Sequence, residues 1–203
     1  MTLMKKAAIY IHGMGGNAEE AYHYSALFPN SKVIGFNYES QYPWDAEEEF
    51  GHFFENCRKD YDEITVIANS IGAYFSLCAR IWEKVNAAVL ISPVVDMEQL
   101  ITNMMKRANV TEDELKEHGE IPTDFGETLS YRYLTYSREH PTDINVPAYI
   151  IYGENDDLTS LDTITHFVRK NGASLFVCPN GEHWFHNAEQ MRFIDDTLLS
   201  IGL

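Results

Sequence analysis

The chain has 203 residues, of which 45% are apolar, and this is enough for one domain with a single hydrophobic core. Its 15 Lys and Arg against 31 Asp and Glu give a formal net charge of −16. This composition excludes disorder as a general description. A charge this negative repels phosphate backbones and anionic headgroups, so it argues against nucleic acid or a membrane surface as a partner.

The beginning of the chain and its cysteines bear on the compartment. Lys5 and Lys6 precede an apolar run that is too short for the core of a signal peptide, and no stretch reaches transmembrane length. The three cysteines, Cys57, Cys78 and Cys178, are odd in number and form no CxxC pair. Sparse, unpaired thiols favour a reducing compartment over a disulfide framework. We therefore expect a cytoplasmic location.

Short apolar runs alternate with longer amphipathic segments along the chain. The runs predict six strands buried on both faces, at residues 7–11, 33–36, 64–68, 87–91, 148–152 and 174–178. Apolar residues three and four apart predict helices at residues 18–28, 45–58, 71–84, 158–171 and 188–201. Pro43 is a start signal for the second helix, and Gly172 is a stop signal for the fourth. The alternation predicts a single α/β domain over residues 1–203, with a mostly parallel sheet flanked by helices.

The segment 96–147 interrupts this alternation. It contains no strand-like run, only helical pieces at residues 97–108, 111–118 and 125–137. Thr111 and Glu114 have the spacing of a capping box at the start of the second piece. Because the segment follows the carboxyl end of a predicted strand, where open α/β sheets bind ligands, it is placed to form a helical cap over a site. The alternative is that several helices simply replace one ordinary crossover helix.

The turn after the third predicted strand has the local pattern of a nucleophile elbow. Ser70 has Ala68 two residues before it and Gly72 two residues after it, so alanine replaces the first glycine of the G-x-S-x-G pattern. Small residues are needed at these two positions because the strained turn brings strand and helix close together. A serine at such a junction is also commonly only a helix N-cap, and this pattern alone does not separate the two roles.

A glycine-rich loop follows the first predicted strand at residues 12–17, with the sequence HGMGGN. Its backbone N–H groups would lie near the carboxyl edge of the sheet, where they could stabilise an oxyanion beside Ser70. The alternative is a phosphate-binding loop of a dinucleotide-binding fold. The spacing is not G-x-G-x-x-G, which disfavours that alternative, although Glu39 lies near the end of the second predicted strand.

Carboxylates and imidazoles follow the last two predicted strands. Asp156 and Asp157 come just after the fifth strand, and His183 and His186 come just after the sixth. A serine hydroxyl is a weak nucleophile at neutral pH, so it needs a base to take its proton and an acid to orient that base. These residues therefore supply candidates for both roles.

Four motifs together resemble the α/β-hydrolase superfamily, and the resemblance covers nearly the whole chain. The motifs are HGMG at residues 12–15, ANSIG at 68–72, GEND at 153–156 and GEH at 181–183. Each is modest alone, but all four fall at strand ends and in the chain order serine, acid, histidine of that superfamily. The resemblance implies the α/β-hydrolase fold, with segment 96–147 as its helical cap insertion.

The resemblance also implies roles for individual residues. Ser70 is the nucleophile, His183 the general base and acid, and Asp156 the orienting carboxylate. Asp156 is favoured over Asp157 because the family's acid usually sits three residues after the strand-ending glycine. His183 is favoured over His186 because it lies in the loop after the last strand, whereas His186 is expected to begin the final helix.

The oxyanion hole is implied in the same way. The backbone N–H groups of Met14 and Ile71 would form it, with His12, Gly13 and Gly15 as the supporting loop. No HExxH arrangement or nearby cysteine pair indicates a metal site, so neither a metal nor a cofactor is expected.

We therefore expect a serine hydrolase, with carboxylesterase as the leading activity. A thioesterase, an amidase or peptidase, or a carbon–carbon hydrolase would use the same triad. A non-catalytic ligand-binding protein with the hydrolase fold is the alternative from another class. The net charge of −16 favours small uncharged or cationic acyl substrates, while the substrate itself and the oligomeric state stay open at this point.

Overall fold

Six short apolar runs form one parallel sheet in the computed structural model, which describes residues 4–203. In chain order the strands of the protein are β1 (Lys6–Ile11), β2 (Lys32–Phe36), β3 (Glu63–Asn69), β4 (Ala87–Ile91), β5 (Glu120–Pro122), β6 (Thr128–Ser130), β7 (Ala148–Gly153) and β8 (Ser174–Cys178). The order across the main sheet is β2-β1-β3-β4-β7-β8, and every adjacent pair is parallel. The predicted parallel sheet is confirmed.

The connections between these strands are mostly helical. The α-helices are α1 (Pro43–Asp60), α2 (Ile71–Cys78), α3 (Met97–Ala108), α4 (Glu112–His118), α5 (Tyr131–Glu139), α6 (Leu161–Asn171) and α7 (Ala188–Ile201). Two 3₁₀ helices span Ala18–Ala26 and Ile81–Lys84. Pro43 stands in the first turn of α1, and Gly172 takes a φ of 65° just after α6, so both sequence signals mark real helix ends.

Three of the five helices predicted outside segment 96–147 differ from the observed ones. The segment predicted as a helix at 18–28 is a 3₁₀ helix that ends at Ala26. The helix predicted at 71–84 breaks after Cys78, because Arg80 adopts a left-handed φ of 48° that an α-helix does not accommodate. The helix predicted at 158–171 begins only at Leu161, because the side chain of Ser160 caps it by accepting from the amide of Thr163.

The strands of the main sheet are not equally buried. All five residues of β4 are buried, as the uniform apolar run predicted. The prediction of burial on both faces is wrong for the two edge strands, because an edge strand has a neighbour on one side only. In β2 only Phe36 is fully buried, and in β8 the side chain of Val177 is 37% exposed.

The described residues divide into two compact units, and segment Asp96–Thr142 forms the smaller one. Within it, α3, α4 and α5 are joined by Arg138, whose guanidinium binds Glu98 and Glu112. The strands β5 and β6 form an antiparallel hairpin there. The prediction of a strandless segment, with a helix from residue 125, is therefore wrong. Strands of three residues are too short to show a two-residue periodicity.

The larger unit contains the main sheet and its flanking helices. One face of the sheet packs against α7 and the 3₁₀ helix Ala18–Ala26, through a cluster that includes Ile67, Val89 and Leu198. Because all six strands are parallel, their carboxyl ends meet at one edge, and the loops after β1, β3, β7 and β8 lie along that edge. No helix within residues 4–203 combines the length and the apolar character that crossing a membrane requires.

Two glycines give a matched test of this packing. A Cβ on Gly35 in β2 would lie 1.9 Å from the backbone oxygen of Ala18, whereas a Cβ on Gly51 in α1 would have no neighbour within 4 Å. We expect Gly35→Ala to lower the free energy of unfolding by about 1–3 kcal/mol, because backbone must move. Gly51→Ala should raise it by about 0.5–1 kcal/mol, because alanine favours the helix. Urea denaturation measures both, and a Gly35→Ala protein as stable as the wild type would contradict the packing.

Candidate active site

Ser70 occupies a strained turn between β3 and α2. Its φ of 49° and ψ of −116° lie outside the regions that side-chain-bearing residues normally adopt. Its amide donates to the backbone oxygen of Ile91 at 3.0 Å, which continues the ladder between β3 and β4. Its hydroxyl makes no capping hydrogen bond to α2. The turn therefore directs the hydroxyl away from the helix that follows it.

The small residues around Ser70 allow the backbone to pass close to the loop after β1. A Cβ on Gly72 would lie 2.3 Å from the backbone oxygen of His12, and a Cβ on Gly13 would lie 3.2 Å from the Cβ of Ser70. Ala68 is completely buried between β1 and β4. A larger residue at position 68 or 72 would force the strand and the loop apart.

Ser70, His183 and Asp156 form a continuous hydrogen-bonded chain. The Oγ of Ser70 is 2.8 Å from Nε2 of His183, and Nδ1 of His183 is 2.8 Å from Oδ2 of Asp156. A carboxylate only accepts hydrogen bonds, so Nδ1 carries the proton and Nε2 of the neutral ring is free to accept from the serine hydroxyl. This arrangement lets the ring take a proton from Ser70 and pass it on.

The carboxylate of Asp156 is fixed from its other side. Its side chain is 0% exposed, and Oδ1 accepts from the backbone amides of Leu158 and Thr159, both at 2.9 Å. Asp157, the alternative acid, is exposed and takes part in none of these contacts. Two backbone donors and one imidazole donor thus hold the Asp156 carboxylate in a single orientation.

The loops after β7 and β8 bring His183 to Asp156 by backbone contact. A Cβ on Gly153 would lie 2.4 Å from the backbone oxygen of Glu182, and the amide of Asn155 donates to the backbone oxygen of Gly181 at 2.7 Å. The alternative base, His186, is held elsewhere. Its Nδ1 lies 2.6 Å from the backbone oxygen of Trp184, and the two rings stack at 4.5 Å.

The loop after β1 forms a tight turn beside Ser70. The amide of Gly16 donates to the backbone oxygen of Gly13 at 3.1 Å, and Gly15 takes a φ of 73°, as the third position of a type II turn requires. Met14 occupies the second position, where the amide points out of the turn. Within residues 4–203, no hydrogen bond uses the amide of Met14 or of Ile71, so both N–H groups are available to a ligand.

Tyr38 supports this loop, and the sequence did not single it out. Its hydroxyl donates to the backbone oxygen of His12 at 2.9 Å, and its ring stacks on the His12 ring at 4.3 Å with an angle of 13° between the planes. Burial raises the pKa of Tyr38 above its usual range, so the phenol stays protonated and remains a donor. The only sign of Tyr38 in the sequence is an aromatic residue two positions after the end of β2.

No grouping of three or more His, Cys, Asp or Glu side chains suited to a metal ion occurs in the described part of the chain. The Cys57 and Cys178 thiols are buried, and burial raises the pKa of each. The groups at this edge that can take part in a reaction are the Ser70 hydroxyl, the His183 imidazole and the Asp156 carboxylate, together with the backbone amides of Met14 and Ile71.

Comparison with known proteins gives structural matches only. No protein-family model matches the sequence, and no curated protein does. Est1E from Butyrivibrio proteoclasticus is 15% identical, with a TM-score of 0.77 over 98% of this chain and 87% of that chain. Mouse alpha/beta hydrolase domain-containing protein 10 is 14% identical, with a TM-score of 0.75 over 96% of this chain and 88% of that chain. An esterase from Pyrococcus furiosus is 19% identical, with a TM-score of 0.58 over 98% of this chain and 81% of that chain.

These likenesses, with the parallel sheet and its strand order, show that the chain has the α/β-hydrolase fold. The resemblance inferred from the four sequence motifs is thereby confirmed at the level of the fold. At identities this low, the activity has to be argued from the site itself.

Proposed function

We propose that the protein is a serine hydrolase that acts on small ester-type substrates, with carboxylesterase as its activity. The observation that carries this proposal is the hydrogen-bonded chain from Ser70 through His183 to the buried Asp156, with 2.8 Å at each step. A serine that only caps a helix has no need of an oriented imidazole and a carboxylate fixed by two backbone amides.

The proposed reaction has two half-reactions. The Oγ of Ser70 attacks the carbonyl carbon while Nε2 of His183 takes the hydroxyl proton, and Asp156 stabilises the imidazolium that forms. The tetrahedral intermediate collapses, and His183 gives the proton to the departing alcohol. Water then attacks the acyl-enzyme, with His183 again as base, and the intermediate releases the acid and restores the Ser70 hydroxyl.

We assign the oxyanion hole to the backbone N–H groups of Met14 and Ile71. Ile71 begins α2 directly after the nucleophile, and Met14 lies in the turn whose first residue, Gly13, packs on Ser70. Fixed backbone donors of this kind stabilise developing negative charge without reorganisation. Tyr38 acts on the hole only indirectly, since it holds the backbone of His12.

The proposed substrate class rests on the structural neighbours and on the net charge of the chain. One structural neighbour is named as an esterase, and another, Est1E, has a structure with ferulic acid bound. Aliphatic and feruloyl esters are therefore the first substrates to test. The net charge of −16 favours uncharged or cationic acyl substrates over phosphorylated ones. The helical segment Asp96–Thr142 is proposed to act as the cap that shapes substrate choice.

The nucleophile is tested with a fluorophosphonate probe and a chromogenic ester. We expect wild-type protein to be labelled on the peptide that contains Ser70, and Ser70→Ala to lose labelling and about 1000-fold or more in kcat. Ser92→Ala is the control, since Ser92 is a buried serine after the neighbouring strand β4. Mass spectrometry of the labelled peptide gives the site directly.

The same experiment shows whether Asp156 or Asp157 is the acid that orients His183. Asp156→Asn should slow both labelling and hydrolysis, because an amide favours the wrong tautomer of His183, while Asp157→Asn should leave both at the wild-type rate. A folded wild-type protein that takes no label and cleaves no ester or thioester would instead indicate a ligand-binding protein and contradict the proposal.

Proline at position 14 tests the oxyanion hole. Met14 stands at the second position of a type II turn, where proline is well tolerated, so Met14→Pro removes the N–H while it keeps the turn. We expect kcat to fall by about 100- to 1000-fold with little change in KM. Met14→Ala keeps the amide and measures the cost of losing the side chain. Equal activity of the two variants would remove Met14 from the oxyanion hole.

A further inference from the structure

A cavity of about 230 Å³ lies beside the nucleophile elbow, within the larger unit of the chain. It is bounded by Asn69, which directly precedes Ser70, and by Trp184 and Phe185, which directly follow His183. The cavity is therefore lined by the sequence neighbours of both the nucleophile and the base. Neither the triad nor the oxyanion amides use this space.

The polar wall of the cavity is a chain of hydrogen bonds. The hydroxyl of Tyr10 lies 2.5 Å from Oε2 of Glu20. Since a carboxylate only accepts, Tyr10 donates to Glu20. The backbone amide of Asn17 donates to Oε1 of Glu20 at 3.2 Å. Burial raises the pKa of Tyr10 above its usual range, which keeps it a donor.

These bonds do not use all the acceptor sites of Glu20, which lines the cavity. The carboxylate of Glu20 has about four lone-pair sites, and Tyr10 and Asn17 fill two of them. Among the described residues, no Lys or Arg lines the cavity. His23 also lines the cavity, and its Nε2 lies 2.7 Å from Oδ1 of Asp195.

The remaining wall is apolar and largely aromatic. Tyr24, Trp184 and Phe185 line it together with Ile91, Met191 and Ile194. The Trp184 side chain is 69% exposed, which is unusual for the largest apolar residue. A carboxylate beside aromatic rings is the combination that binds alkylammonium groups, through charge attraction and through cation–π contacts.

We propose that this cavity is a subsite for an alkylammonium group carried by the substrate, on its acyl or its alcohol side. The proposal rests on the proposed serine hydrolase activity and adds a substrate class to it. An anionic group would be repelled by the Glu20 carboxylate, and among the described residues no Lys or Arg lines the cavity to offset that repulsion. A purely apolar group would bury that carboxylate without compensation.

The test uses pairs of esters in which only the charge changes. On the acyl side the pair is 4-nitrophenyl 3-aminopropanoate and 4-nitrophenyl butanoate. On the alcohol side it is acetylcholine and 3,3-dimethylbutyl acetate. For each pair the ratio of kcat/KM, charged over neutral, is compared between proteins, so that the intrinsic reactivities of the esters cancel.

Glu20→Gln is the diagnostic variant. Glutamine keeps the shape and one acceptor oxygen, for Tyr10, while it removes the charge and the hydrogen bond from the Asn17 amide. We expect it to lower the charged-over-neutral ratio about five- to tenfold for at least one pair. Glu19→Gln is the matched control, because it removes the same charge from the same turn of the 3₁₀ helix while Glu19 does not line the cavity. It should leave the ratio at the wild-type value.

The outcomes separate this proposal from the hydrolase proposal. Ser70-dependent hydrolysis with the same ratio in wild type and Glu20→Gln overturns the subsite and leaves the hydrolase standing. An equal loss in Glu19→Gln and Glu20→Gln also overturns it, since the effect is then the general field of an acidic protein. If no ester is cleaved, calorimetry with choline tests the cavity alone. Binding to Ser70→Ala that is lost in Ser70→Ala/Glu20→Gln supports the subsite, and no binding to Ser70→Ala overturns it.

Discussion

At the carboxyl edge of the sheet, the loops after β1 and β3 touch each other through backbone atoms, as do the loops after β7 and β8, with a glycine at each point of contact. Gly72 lies under the backbone oxygen of His12, and Gly153 lies under that of Glu182, each too close for a side chain. The first contact places the turn of the β1 loop beside Ser70. The second places His183 beside Asp156. The positions of the nucleophile, the base, the acid and the free amides all follow from these two contacts.

Much of this arrangement is readable from the sequence because it is encoded locally. A buried run followed by a small-x-Ser-x-small turn predicts both the end of β3 and the start of α2. What the sequence did not reveal depends on residues distant along the chain. Tyr38 supports the loop that carries Met14 only because β2 lies next to β1, and the Glu20 carboxylate meets the Tyr10 hydroxyl only in the folded chain. The hairpin of β5 and β6 was missed because three-residue strands leave no periodic signal.

The carboxylates that make the protein acidic have different surroundings. Several carboxylates are neutralised locally, as where Arg138 binds Glu98 and Glu112. Asp156 is fully buried and held by three donors. Glu20 differs from both, since it lines a largely aromatic cavity beside the nucleophile elbow, with no Lys or Arg among the described residues around that cavity. On this account the excess negative charge draws cationic substrates toward the protein, and one carboxylate orients them at the site.

The central claim is that Ser70 attacks a carbonyl whose oxygen is then held by two backbone amides. A crystal structure of the protein after reaction with a small alkyl phosphonate tests this most directly, because the adduct has the tetrahedral geometry of the intermediate. The account predicts a bond from phosphorus to Oγ of Ser70, with one phosphonyl oxygen within hydrogen-bonding distance of the amides of Met14 and Ile71. An adduct on another residue, or a phosphonyl oxygen turned away from both amides, would contradict it.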